Sequence, residues 1–177
     1  MAHSASILAN PDLSTLAERL GRYCRERGVT LTVAESCTGG GVASAITSVS
    51  GSSDYFEIGY VTYSNAAKTR LLGVPENTLA EQGAVSGDVV RAMVAGACRD
   101  SGAQLGVAVS GVAGPGGGTV DKPVGTVWLA WGNAEHQQAE CFHFPGGRQE
   151  VREQAVRESL AGLVARLTTQ AKNSENK

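Results

Sequence analysis

What most constrains the fold of this chain is a repeated local order: a short β-rich run, then a glycine-rich loop. Thr30 to Ala34 leads into Glu35-Ser36-Cys37-Thr38-Gly39-Gly40-Gly41, and Leu105 to Val109 leads into Ser110-Gly111-Val112-Ala113-Gly114-Pro115-Gly116-Gly117-Gly118. After the first loop Val42, Ala43 and Ile46 predict a helix, giving a strand-turn-helix unit. In open α/β sheets such loops cluster at strand ends, where backbone N–H groups meet ligands. Neither loop carries a specific nucleotide signature. Residues 39–41 do not fit G-x-G-x-x-G, and no Gly-Lys-Ser/Thr ending makes a P-loop.

The rest of the chain extends this pattern. Leu13, Leu16, Leu20 and Cys24 recur at helical spacing between Pro11 and Gly28, an N-terminal proline and a C-terminal glycine. Phe56 to Tyr63 predicts a strand. Ser64 is placed to cap a helix over Ala66 to Leu72, and Ser86 a longer one through Val89, Val90, Met93, Val94 and Ala97. Val124 to Trp131 and Gln138 to Phe144 predict two strands joined too closely for a crossover, hence an antiparallel hairpin. The last helix carries Val151, Ala155, Leu160, Leu163, Val164 and Leu167. Helices alternating with strands predict an α/β fold: a single three-layer α/β/α sandwich around a mixed, mostly parallel sheet. The expected organisation is a flexible N-terminus at 1–10, one domain over 11–170 and a flexible tail at 171–177.

Composition narrows the function classes. The 177 residues are 42% hydrophobic and 18% charged, enough for one core and unlike a disordered chain. A net charge of -2 gives no general attraction for nucleic acid or an anionic membrane, so an anionic ligand needs local groups. With no apolar run of membrane-spanning length and no secretory leader, the expected location is the cytoplasm. Cys24, Cys37, Cys98 and Cys141 form no C-x-x-C pair, and only His3, His136 and His143 accompany them. This predicts neither a metal site nor a disulfide framework. His136 and His143, read as seven residues apart on one strand, are expected on opposite faces.

Two side chains stand out for chemistry. Ser36 sits between a strand end and a helix start, where a hydroxyl is displayed at the sheet rim and the N–H groups of Thr38 and Gly39 are candidates to stabilise an oxyanion. A turn serine can equally serve only as a cap. No histidine is positioned for a Ser-His-Asp triad, which makes Lys68, early in a helix, the candidate base. Burial and the helix N-terminus would both favour its neutral form. Tyr63, at a strand end five residues before Lys68, is a candidate to orient it or pass a proton. Cys37 is a rival nucleophile.

Taken together, Ala34-Glu35-Ser36-Cys37-Thr38-Gly39-Gly40, Tyr60-Val61-Thr62-Tyr63-Ser64-Asn65 with Lys68, Gly83-Ala84-Val85-Ser86, Ser110-Gly111-Val112-Ala113-Gly114-Pro115 and Lys122-Pro123-Val124-Gly125-Thr126-Val127 resemble the CinA C-terminal domain family, the nicotinamide-nucleotide amidases. The likeness runs in order from about Leu16 to Leu167. It implies a three-layer α/β domain that converts nicotinamide mononucleotide and water to nicotinate mononucleotide and ammonia, with no metal or other cofactor. It assigns Ser36, rather than Cys37, as nucleophile, Lys68 as base and Tyr63 as their companion. Substrate-binding positions then fall on Glu35, Thr38, Gly39, Gly40, Ser64, Asn65, Ser110, Gly111, Gly114 and Pro115, with Arg148 the charged candidate for the phosphate. The implied protein is a homo-oligomer with a small-molecule partner and no nucleic acid or membrane. Gly41 departs from the family, where a bulky apolar residue often stands, and a looser helix start is expected there. Longer relatives carry a further N-terminal domain. The alternative from another class is a non-catalytic nucleotide-binding or regulatory protein, which would need the glycine loops but no Ser-Lys pair.

Overall fold

The computed structural model describes residues 11–174. The segment expected to be a flexible N-terminus, 1–10, and the last three residues of the expected tail lie outside the described residues. In chain order the elements are α1 (Leu13–Arg27), β1 (Leu31–Glu35), α2 (Gly41–Thr47), a 3-10 turn (Ser52–Asp54), β2 (Phe56–Val61), α3 (Asn65–Leu72), α4 (Glu76–Gln82), α5 (Gly87–Ser101), β3 (Leu105–Gly111), β4 (Thr126–Gly132), β5 (Gln137–His143) and α6 (Arg148–Ser174). The sheet order is β2-β1-β3-β4-β5. β1 pairs parallel with both β2 and β3, and β3, β4 and β5 pair antiparallel, so β4 alone runs against the others. The sheet is mixed and mostly parallel, with β4 and β5 forming the expected hairpin.

Strand alternation builds the two cores. Leu31 and Val33 of β1, Val107 and Val109 of β3, and Val127, Leu129 and Trp131 of β4 pack with α1, α2 and α6. Their neighbours Ala34, Ala108 and Ala130 face α5 with Val89, Val90, Met93, Val94 and Ala97. Small residues on that side let α5 lie close to the sheet. A close approach also fixes α5 against α3. A Cβ on Gly96 would stand 1.9 Å from the Leu72 carbonyl oxygen, so only glycine fits.

Helix ends follow local chemistry. Asp12 accepts from the Thr15 N–H, Ser64 from Ala67 and Ser86 from Val89, each satisfying an orphan donor at a helix start. Gly28 ends α1 at φ 62.

The structure differs from expectation in five places. α4 and the 3-10 turn lacked a readable apolar stripe, α4 burying only Leu79. The strand expected to reach Tyr63 ends at Val61, and the hydrogen-bonded pairing ends with it. His136 precedes β5, in the turn where its N–H donates to Asn133 Oδ1, so the two histidines do not share a strand. Gly41 does not loosen α2. A Cβ there would meet Val156 Cγ2 at 2.9 Å, so its small size seats α2 tightly against α6. α6 itself continues through Ser174, into the segment expected to be tail.

Candidate active site

The site lies where β1, β2 and β3 end. Glu35 is in register with Val61 and Val109, and one residue further Ser36, Thr62 and Ser110 follow on adjacent strands. Alternation turns these three toward the α3 and α5 side, opposite Glu35. Ser36 is held there by its own N–H, which donates to the Val109 carbonyl at 3.0 Å.

Lys68 comes to the same point from α3. Its helix is anchored by the Ser64 cap, and its side chain runs back into the fold until the residue is 1% exposed. Nζ donates to Ser36 Oγ at 3.0 Å and to the Thr62 carbonyl at 2.8 Å. No ion pair to Lys68 occurs among the described residues. Burial therefore pulls its pKa down from the ordinary lysine value. A buried amine, biased toward its neutral form and hydrogen-bonded to the hydroxyl of a serine that is 8% exposed, can act chemically as a base beside a nucleophile.

Cys37 points the other way. It packs in the apolar core with Val42, Ile46 and Val109, and burial pushes its thiol up to about 11. Geometry and ionisation both disfavour the rival nucleophile.

The loop after Ser36 is organised by Glu35, fully buried beneath it. Its carboxyl accepts from the Thr38 hydroxyl and from the N–H groups of Gly40 at 3.0 Å, Val42 at 3.1 Å and Ala43 at 2.8 Å. These are the orphan donors at the start of α2 and the loop before it. Glu35, assigned above to substrate, faces its own loop instead, and the Gly40 N–H and Thr38 hydroxyl are spent on it. Glu35→Gln replaces one acceptor with a donor facing N–H groups, so a loss of about 2–4 kcal/mol is expected in urea unfolding. An unchanged midpoint and slope would show that the loop holds itself.

The oxyanion candidates also shift. The Gly39 N–H donates to the Ser36 carbonyl at 3.0 Å and is not free. The N–H groups of Cys37 and Thr38 have no acceptor on another residue among the described residues. They are the two N–H groups that follow Ser36 in the chain, and the residue after a nucleophile commonly supplies such a donor.

A second cluster forms around Arg148, the first residue of α6. Its guanidinium donates to the Gly114 carbonyl at 2.9 Å and to Tyr63 Oη at 3.1 Å. Tyr63 is 61% exposed, and its hydroxyl touches Arg148 rather than Lys68. Leaving the strand turns Tyr63 away from the face that Thr62 and Lys68 share, so the Thr62 carbonyl positions the lysine. One turn along α6, Arg152 donates to the Cys37 carbonyl at 3.0 Å and the Thr38 carbonyl at 3.2 Å. Nothing in the sequence distinguished Arg152 from any other arginine of an amphipathic helix.

The remaining assigned positions frame these clusters. Ser110 is 1% exposed beside Ser36, and its hydroxyl has no hydrogen-bond partner among the described residues. Gly111 is half-buried and Gly114 buried behind it, with Pro115 exposed. Ser64 and Asn65 are exposed at the start of α3, the Ser64 hydroxyl occupied by its cap. Among the described residues no three His, Cys, Asp or Glu side chains converge as a metal cluster, and no helix is long and apolar enough to cross a membrane.

With this geometry in view, residues 13–167 match the model of the CinA C-terminal domain. The chain belongs to the CinA C-terminal domain family. Among similar proteins, the Pseudomonas putida protein named nicotinamide-nucleotide amidohydrolase PncC is 59% identical over 152 residues, covering 86% of this chain and 95% of that protein. The Escherichia coli K12 protein of the same name is 48% identical, covering 88% and 95%. A solved structure, the competence/damage inducible protein CihA from Agrobacterium tumefaciens, superposes with a TM-score of 0.85 at 41% identity, covering 90% of this chain and 98% of that one.

Proposed function

We propose that the protein is a cytoplasmic amidohydrolase that converts nicotinamide mononucleotide and water to nicotinate mononucleotide and ammonia, with Ser36 as nucleophile and Lys68 as base. The observation that carries the mechanism is the buried Lys68 amine, 3.0 Å from Ser36 Oγ and with no carboxylate to hold its charge. The names of the Pseudomonas and Escherichia relatives support the substrate. A non-catalytic nucleotide-binding role gives no reason to bury a lysine against a serine hydroxyl.

In the first half-reaction neutral Lys68 takes the Ser36 proton as Oγ adds to the carboxamide carbon. The carbonyl oxygen becomes an oxyanion held by the N–H groups of Cys37 and Thr38. The C–N bond breaks, and the proton on Lys68 passes to the leaving nitrogen, which departs as ammonia. In the second half-reaction Lys68 takes a proton from water as the oxygen adds to the ester. The Ser36–carbon bond breaks and the proton returns to Oγ. Ser110, with an uncommitted hydroxyl beside the nucleophile, is placed to contact the substrate carboxamide.

Arg148 is the proposed phosphate contact. Its fork reaches the Gly114 loop and Tyr63, and exchanging one of these neutral acceptors for a phosphate oxygen gives a stronger, charge-assisted bond. Arg148→Ala is expected to raise KM for the mononucleotide about 10-fold, with kcat changed less than about 3-fold. The riboside, which lacks the phosphate, should be a poor substrate for the wild type and insensitive to the substitution. Equal effects on both substrates would remove Arg148 from phosphate recognition. The direct test of function is ammonia release by the purified protein from the mononucleotide, the riboside and free nicotinamide, with the mononucleotide strongly preferred.

A further inference from the structure

Arg152 is buried in no apolar cluster and paired with no carboxylate among the ion pairs of the described residues, yet its guanidinium is fixed on two backbone carbonyls of the loop after Ser36. These carbonyls lie 115 and 114 residues away in the chain. A charged donor used this way fixes the orientation of peptide planes.

The consequence follows from peptide geometry. The Cys37 carbonyl and the Thr38 N–H belong to one planar unit. The cis bond among the described residues is Gly114–Pro115, so this unit is trans and its C=O and N–H point in opposite directions. Arg152 holds the carbonyl toward α6, whose side chains Val151, Ala155 and Val156 pack on the core face shared with Cys37. The Thr38 N–H must then point toward the other face, where Lys68 meets Ser36. A flip of this peptide would turn the carbonyl toward the dyad, where it would repel an oxyanion.

We infer that Arg152 is a positioning residue that keeps the Cys37–Thr38 peptide oriented so that the Thr38 N–H serves the oxyanion formed on Ser36. This rests on the Ser36 reading above and adds to it the group that preorganises the donor. The role is electrostatic preorganisation: the donor costs no rearrangement at the moment of reaction. Removing an oxyanion donor outright typically costs about 10²–10³-fold in kcat, so loosening one should cost about 10–10²-fold.

The test separates orientation of the loop from contact with substrate. Arg152→Met removes both donations, and Arg152→Lys retains one. With nicotinamide mononucleotide, kcat is expected to fall about 10–10²-fold in Arg152→Met and less in Arg152→Lys, while KM stays within about 3-fold. Pyridine-3-boronic acid, which adds to a serine hydroxyl as a tetrahedral anion, should lose affinity by a similar factor. Nicotinate mononucleotide, a ground-state ligand, should lose none. Circular dichroism and urea unfolding report folding, and Arg152→Lys carries the test if Arg152→Met does not fold. A raised KM with weakened nicotinate mononucleotide binding and intact kcat would overturn the inference, making Arg152 a substrate contact. Unchanged kcat and boronate affinity in a folded variant would overturn it too, leaving the loop to Glu35. Boronate binding to wild type but not to Ser36→Ala checks the underlying serine independently of which amide is the substrate.

Discussion

Ser36→Ala is expected to lower ammonia release from nicotinamide mononucleotide by about 10⁴-fold or more, because it removes the atom proposed to attack the carboxamide. Cys37→Ala, one residue away, should retain activity within about 10-fold. The contrast is set by strand alternation. Ser36 Oγ meets Lys68 Nζ on the α3 side, while Cys37 is buried in the opposite core with its thiol pushed up to about 11. Some stability loss is expected for Cys37→Ala, since a buried apolar contact is removed. Ser36→Ala should fold normally, with little volume lost. Measured kcat and urea midpoints for both variants check this. The reverse ranking would move the nucleophile to Cys37.

Lys68 substitutions should be nearly as damaging, about 10²–10⁴-fold in kcat, and for a reason that the pH profile exposes. In the proposed mechanism the active form is the neutral amine. Burial lowers its pKa from 10.5, so kcat/KM should rise with pH through a midpoint below that value and then level off. Lys68→Arg keeps a charge that cannot be lost at ordinary pH, and should be as inactive as Lys68→Met. Stability gives an independent sign. A lysine whose folded pKa lies below its unfolded value contributes fully only above about 10.5, and stability is lost as pH falls through the lowered folded value. Lys68→Met removes that penalty, so it should be more stable than wild type at neutral pH and lose the advantage as pH rises toward 10.5. Active Lys68→Arg, or a flat pH profile in the wild type, would mean that the base lies elsewhere.

What was legible in the sequence was what rests on local chemistry. Ser64 and Ser86 announce their helices because a cap acts over three residues, and the valines and alanines of β1, β3 and β4 announce a sheet covered on both faces. Ser36 and Lys68 stand out as candidates from a strand-to-helix turn and a lysine early in a helix, but nothing in a 32-residue spacing dictates their contact, and only the family likeness joins them as a pair. Alternation alone could have separated Glu35 from Ser36. Adjacent strand residues face opposite sides, and Glu35 belongs to the side where α2 begins. Tyr63 stands five residues before Lys68 in the sequence, but that separation does not bring its hydroxyl to the amine. The strand stops at Val61, and the hydroxyl swings to Arg148. Arg152 left no local signal, because the carbonyls it meets lie more than a hundred residues away.

The most direct measurement of the account is where the acyl group resides during turnover. Acid quenching of wild-type protein with excess nicotinamide mononucleotide, followed by intact-mass measurement and peptide mapping, should find the nicotinate mononucleotide acyl group as an ester on Ser36. It should be absent from Ser36→Ala. The same mass as a thioester on Cys37, or ammonia released at the wild-type rate by Ser36→Ala, would contradict the Ser36–Lys68 mechanism.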